Sequence, residues 1–133
     1  MSIVALHLLL LHFSTGLLLV SAGLFLAARL GGEHGWVASA RRAGTWNLLL
    51  AAAVAILAVL CGLAEMGARV VPASWWLQRD LALGEAAAGV ILGGWRLADL
   101  ARRRAADWRF VGVLIVVAVA AFLLVWYAAG RLY

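Results

Sequence analysis

The chain has 133 residues, of which 67% are hydrophobic and only 13% are charged, and its mean hydropathy is +1.04. A soluble domain cannot cover that much apolar surface with polar side chains, so the composition predicts an integral membrane protein. The formal net charge of +5 comes from arginine alone. The arginines cluster at the ends of apolar segments, which favours a role in membrane topology and argues against nucleic-acid binding.

Four apolar segments are each long enough to cross a bilayer as a helix of roughly 20 residues. The first is too long for a cleaved signal peptide and has no positive region before it, so we expect it to remain as span one. The glycine-rich segment 30–44 predicts a loop with one interfacial turn. Short connections predict an all-α, up-down-up-down bundle of four transmembrane helices in a single domain, 1–133. The predicted spans are residues 3–28, 45–66, 77–97 and 110–129.

The distribution of arginines predicts the orientation of the bundle. Eight arginines lie in or beside the first and third loops, against three at the opposite end, which are Arg69, Arg79 and Arg131. Because arginine-rich loops stay in the cytoplasm, we expect both termini on the outer, periplasmic side of a bacterial inner membrane. The loop arginines expected to set this topology and to contact membrane lipids are Arg41, Arg42, Arg102, Arg103 and Arg104.

Small residues recur at helical spacing in the first three spans, which is typical of faces that pack against another helix. In span three, Gly89 and Gly93 form a GxxxG motif on the same stripe as Glu85. Comparable stripes in spans one and two also pass through an ionisable residue. The glycines expected to pack against helices are Gly16, Gly23, Gly62, Gly89 and Gly93.

Ionisable residues inside the spans are the strongest functional signal, since a charge there costs several kcal/mol unless it is paired or protonated. In the predicted orientation, the outer half of the bundle contains His7, His12, Glu65, Asp80 and Glu85. At 1.5 Å per residue, His12 lies about 13 Å into its span, and Glu85 lies at a similar depth. We expect these two side chains to form a hydrogen bond or ion pair, with Arg79 and Asp80 pairing nearer the surface.

Several roles for this polar cluster remain open. The groups could simply satisfy one another and fix the helix register. Haem b needs two axial ligands, but His7 and His12 lie about 140° apart around the helix and cannot both face one iron. Histidine and glutamate could instead exchange protons with a quinone, whereas a divalent metal at His7, Asp80 and Glu85 has no supporting spacing motif. The candidate cofactor-binding residues are His7, His12 and Glu85.

The opening of span one also resembles that of a known family. His7–Phe13 reads His-Leu-Leu-Leu-Leu-His-Phe, which is similar to the His-Pro-Leu-Leu-Val-His-Phe-Pro opening of an uncharacterised bacterial membrane-protein family, the domain of unknown function numbered 2231. The Cys61–Glu65 segment continues the similarity, which covers the first three spans. Leu8 and Ser14 replace the family's prolines, and Asp80 stands where the family has a third histidine. The resemblance implies a four-helix bundle with histidines near its outer face and no assigned activity.

These observations predict a non-catalytic accessory subunit of a larger bacterial membrane complex, of the electron-transfer or photosynthetic kind. The chain leaves no room for a soluble domain and has more small-residue stripes than one bundle can use. The remaining stripes are therefore available to other membrane subunits or to a second copy of the chain. The rival hypothesis, from a different class, is a haem b-, metal- or quinone-binding protein that handles electrons or protons through the histidines and glutamates of the polar cluster.

Overall fold

The computed structural model describes residues 3–66 and 73–130, with side chains described for residues 5–64 and 76–130. Four helices make up these regions: α1 (Ile3–Leu30), α2 (Val37–Met66), α3 (Ala73–Ala101) and α4 (Trp108–Ala129). All four are long and apolar enough to cross a membrane, which confirms the prediction of four apolar helices, with no strand in the described residues. Each helix packs against its neighbours in the chain and α4 packs back against α1, so the bundle closes into a ring.

Helix α2 begins at Val37 rather than at the predicted residue 45. Its first turns contain alanine and arginine, which have high helix propensity, so Arg41 and Arg42 are helical rather than part of a loop. The turn between α1 and α2 is confined to residues 31–36, where Gly32 has a φ of +58°. The prediction of a loop over 30–44 was therefore wrong, because the glycines break the helix only at the start of that segment.

Helix α4 begins at Trp108 because Asp107 caps its first turn. The Asp107 side chain accepts a hydrogen bond from the backbone N–H of Phe110 at 2.8 Å. This cap directs the fully buried Phe110 ring inward, where it packs edge-on against Phe25 of α1 and Trp95 of α3, with ring centroids 5.2 and 5.5 Å away. An aromatic cluster thus joins three helices at this end of the bundle.

A seven-residue repeat organises the buried face of α1. Residues at alternating spacings of four and three are each at most 2% exposed, namely His7, Leu11, Ser14, Leu18, Ser21, Phe25 and Ala28. One set of positions carries large apolar residues, and the other carries polar or small residues. A period of 3.5 residues per turn is the signature of left-handed helix packing at a crossing angle of about 20°. The repeat therefore explains why α1 can keep one face buried over its whole length.

Helices α2 and α3 approach each other closely at Gly89. A Cβ atom added to Gly89 would lie 3.0 Å from the Cα atom of Ala52, and one added to Gly93 would lie 3.2 Å from the Leu49 side chain. Both glycines of the GxxxG motif therefore face α2, which is the geometry that small residues permit between membrane helices.

Replacing Gly89 by alanine should lower the free energy of unfolding by about 1–3 kcal/mol, because the new methyl group meets backbone atoms that cannot rotate away. Gly94 is a matched control on the same helix, since it has no atom within 4 Å of its Cβ position. Gly94→Ala should leave stability unchanged or raise it by up to about 1 kcal/mol through helix propensity. Reversible unfolding in mixed micelles measures both, and equal effects would contradict the close approach.

Candidate functional site

Three polar side chains of α1 form hydrogen bonds with backbone carbonyls of α2. The bonds are His7 Nδ1 to Ala58 O at 2.7 Å, Ser14 Oγ to Ala51 O at 3.0 Å, and Ser21 Oγ to Gly44 O at 2.8 Å. The donors recur every seven residues along α1, and the acceptors recur every seven residues along α2 in the opposite chain direction. Two antiparallel helices with this repeat require that arrangement. These three pairs are referred to below as the α1–α2 ladder.

The ladder is possible because its acceptors lie on residues with very small side chains. Glycine or alanine at these positions of α2 lets a side chain from α1 reach a carbonyl oxygen, which still has a lone pair available beside its own helical bond. Gly62 serves the same purpose, since a Cβ atom there would lie 3.2 Å from the His7 ring. In a bilayer, each such bond is worth about 0.6 kcal/mol and at most about 1.7 kcal/mol. The ladder therefore fixes the register of α1 against α2 rather than supplying most of the stability.

Glu85 lies near the axis of the bundle and is only 6% exposed. Two hydroxyl groups of α1 reach it across the diagonal: Ser14 Oγ lies 2.7 Å from Oε1, and Thr15 Oγ1 lies 3.1 Å from Oε2. We refer to Glu85, Ser14 and Thr15 as the axial cluster. Because Ser14 belongs to the cluster and to the ladder, it connects three helices.

The axial cluster contains more acceptors than two hydroxyl protons can serve. Ser14 also faces the carbonyl of Ala51, and Thr15 faces the carbonyl of Leu11 at 2.9 Å. Each hydroxyl donates one proton, so an ionised Glu85 would compete with both carbonyls. A protonated Glu85 donates its own proton to a hydroxyl and leaves both hydroxyls free to donate to the carbonyls. With that additional proton, three of these four contacts are satisfied together, whereas the two hydroxyl protons alone satisfy two.

The side chains predicted to form one cofactor site face three different directions. His7 is buried against α2, and Glu85 is at the axis. His12 is exposed on the outside of α1, where its Nδ1–H donates to the carbonyl of Leu8 at 2.7 Å. The predicted His12–Glu85 hydrogen bond or ion pair was wrong, because the seven-residue repeat turns Ser14 towards the axis and His12 away from it, and Ser14 and Thr15 contact Glu85 instead.

Other members of the predicted polar cluster also lie apart. Asp80 is exposed and forms a salt bridge with Arg79 at 2.6 Å, which confirms the pairing expected from the sequence. The side chain of Glu65 lies outside the described residues, as do Arg69 and Arg131 entirely. Within the described part of the chain, no three His, Cys, Asp or Glu side chains are placed to hold a metal ion.

Two of the five glycines predicted to pack face away from the bundle. Gly16 and Gly23 are exposed and have no atom within 4 Å of their Cβ positions, whereas Gly62, Gly89 and Gly93 contact neighbouring helices. At about 100° per residue, the two glycines share an arc of about 80° with other exposed residues of α1. We define the α1 outer stripe as His12, Gly16, Val20, Gly23 and Ala27.

Comparison of the chain with models of protein families, with curated proteins and with solved structures gave no match. The resemblance of the His7–Phe13 segment to an uncharacterised family therefore stays a prediction. The geometry of the buried ladder, the axial cluster and the outer stripe is the basis for inferring function.

Removing both hydroxyls of the axial cluster should lower the free energy of unfolding more than removing the Glu85 carboxyl does. Ser14→Ala combined with Thr15→Val leaves the buried Glu85 carboxyl without these hydrogen-bond partners. The double variant should lower the free energy of unfolding by about 1–3 kcal/mol. Glu85→Met replaces that carboxyl with an apolar group of similar size and leaves each hydroxyl its carbonyl acceptor. This variant should be as stable as the wild type or more stable.

The two changes should also be coupled. In the Glu85→Met background, Ser14→Ala with Thr15→Val should lower the free energy of unfolding by less than in the wild type, because no carboxyl is left without partners. Unfolding of all four proteins in mixed micelles completes a double-mutant cycle. Strictly additive costs would contradict the axial cluster.

Proposed function

We propose that the protein is a non-catalytic helical subunit of a larger bacterial membrane complex, and that it binds its partner through the α1 outer stripe. The observation that carries this proposal is the exposure of His12 beside two glycines that the bundle does not cover. Ionisable residues inside membrane helices are rare and normally face protein or a water-filled cavity. An outward-facing histidine therefore indicates a surface that another protein covers.

The depth of His12 supports this interpretation. Helix α1 has 28 residues, which corresponds to a length of about 42 Å, while the hydrocarbon core is about 30 Å thick. If the helix is centred in the membrane, about 6 Å protrudes at each end. His12 lies about 13 Å from the start of α1, which places it about 7 Å inside the hydrocarbon region. Snorkelling to the interface is difficult for an imidazole at that depth, because its side chain is short.

Glycines on the outer stripe favour a helix over lipid as the covering surface. Gly16 and Gly23 are seven residues apart, and Gly23 and Ala27 form a small-xxx-small pair. Such spacing lets a second helix approach closely, and close contact is the main driving force for helix association in a bilayer. A cavity of about 140 Å³ between α1 and α4, lined in part by His12 and Trp126, offers space for a side chain of that helix.

The interior of the bundle supports a structural role. The buried polar groups of α1 and Glu85 are engaged in bonds between helices, which is what a scaffold needs. The finer parts of the proposal rest on the sequence: an electron-transfer or photosynthetic complex, and a bacterial inner membrane with both termini in the periplasm. The arginine distribution supports that orientation.

Leucine at Gly16 and Gly23 should separate the protein from its complex, because the larger side chains prevent close approach of the partner helix. The wild type should run on a blue-native gel well above the 14.1 kDa of the chain, and the double variant should run as the free subunit. Gly84→Leu with Gly112→Leu is the matched control, since these glycines also have no atom within 4 Å of their Cβ positions but lie on α3 and α4.

Two outcomes would contradict this assignment: a wild type that runs as a monomer, or equal effects of the two double variants. A complex that contains only this chain would indicate a homo-oligomer. Glu85→Met then separates the proposal from the rival proton-handling role. A structural subunit with this substitution should assemble into a fully active complex, whereas a proton-handling subunit should assemble into an inactive one.

A further inference from the structure

The groove between α2 and α3 at the arginine-rich end of the bundle is a second candidate site, distinct from the outer stripe and the axial cluster. It encloses about 420 Å³ next to the turns 31–36 and 102–107. Three arginines and no acidic residue are among its lining side chains: Arg41 and Arg42 come from α2, and Arg96 comes from α3. The groove thus combines a strongly positive lining with a position where a membrane helix meets the head-group region.

Arg96 is unusual because it is a charged residue with only 4% of its surface exposed. Its Nε–H donates to Thr45 Oγ1 and its Nη1 donates to the carbonyl of Arg104, both at 3.3 Å, while the guanidinium lies 5.5 Å from the centre of the Phe25 ring. These contacts hold the side chain in place but involve only two of its five N–H groups. They place a buried cation in the wall of the groove.

No carboxylate forms a salt bridge with Arg96 among the side chains that the structure describes. Asp99 is the acidic group that acts on it electrostatically, and Arg41 opposes that effect as a like charge. A buried cation without a close counter-ion is costly, and the two further arginines at the groove increase the local positive potential. An anion that enters the groove would therefore be attracted by the positive charge of all three guanidinium groups.

The remaining walls of the groove are apolar and include Trp46, Leu49, Leu97 and Leu100. A soluble anion would gain nothing from these residues, whereas the acyl chains of a lipid would lie along them. Guanidinium groups bind phosphate through paired, charge-assisted hydrogen bonds. A zwitterionic head group would bring an ammonium group close to Arg41 and Arg42, which would repel it.

We infer that this groove binds one anionic phospholipid, with its phosphate at Arg96 and Arg41, its head group towards Arg42, and an acyl chain along Leu49 and Leu97. Basic pockets between membrane helices commonly hold anionic head groups. The inference is independent of the outer stripe, because α2 and α3 line this site and α1 contributes none of its lining residues.

Native mass spectrometry of the whole protein from mild detergent tests the site, with phosphatidylglycerol and phosphatidylcholine as competing probes. The wild type should retain one phosphatidylglycerol and bind it at least about ten-fold more tightly than phosphatidylcholine. Arg41→Gln with Arg42→Gln should abolish most of this preference. This pair is chosen because Arg96 is buried and bonded to Thr45, so that its replacement could disturb folding.

Arg102→Gln with Arg103→Gln is the matched control, since it removes two positive charges from the same end of the bundle but outside the groove. It should change phosphatidylglycerol binding by less than about two-fold. Equal losses in the two double variants, or equal binding of the two lipids by the wild type, would overturn the site. Displacement of the lipid by millimolar inorganic phosphate would also overturn it, because the groove would then bind free phosphate rather than a lipid.

Discussion

The buried seven-residue repeat of α1 is the constraint on which the rest of the structure depends. It keeps the same face of a long helix against the bundle, and at every second position of the repeat the side chain is polar or small rather than large. Three of those positions, His7, Ser14 and Ser21, reach backbone carbonyls of α2, because α2 presents only glycine or alanine there. In lipid, no hydrophobic force selects one register over another, so directional bonds of this kind carry much of the specificity.

The same repeat divides α1 into an inner and an outer face with different roles. Turning Ser14 inward places two hydroxyls at the axis, where they meet Glu85 of the diagonal helix. Turning His12 and Gly16 outward leaves a polar group and a small residue where lipid would otherwise be the only neighbour. The same helical period thus places the residues that hold the bundle together on one face of α1 and the proposed partner-binding residues on the opposite face. The groove between α2 and α3 lies on other helices, and its proposed ligand is a lipid of the surrounding membrane.

The number, nature and approximate position of the helices could be predicted from the sequence, because apolar length alone determines them. The ionisable residues were predicted to form one cluster because they lie at similar depths in the membrane. Depth along a helix does not determine the direction in which a side chain points, so this prediction was wrong for His7, His12 and Glu85. The predicted angular separation of His7 and His12 agrees with the structure, which places them on different faces of α1. The polar roles of Ser14, Thr15 and Ser21 were not predicted from the sequence. Hydroxyl residues in an apolar span are difficult to distinguish from small residues that only pack. Their seven-residue spacing with His7, matched by Gly44, Ala51 and Ala58, was the signal that could have found them.

The most direct test of the central claim is disulfide cross-linking of α1 to α2 in a Cys61→Ala background. His7→Cys with Ala58→Cys and Ser14→Cys with Ala51→Cys are the pairs in register. Exchanging the partners uses the same four substitutions but displaces each pair by one repeat, about 10 Å along the helix, which is beyond the reach of a disulfide. The ladder predicts rapid cross-linking of the two pairs in register and none of the exchanged pairs. Equal cross-linking of both sets, or of the exchanged set alone, would contradict the register and with it the proposed division of α1 into two faces.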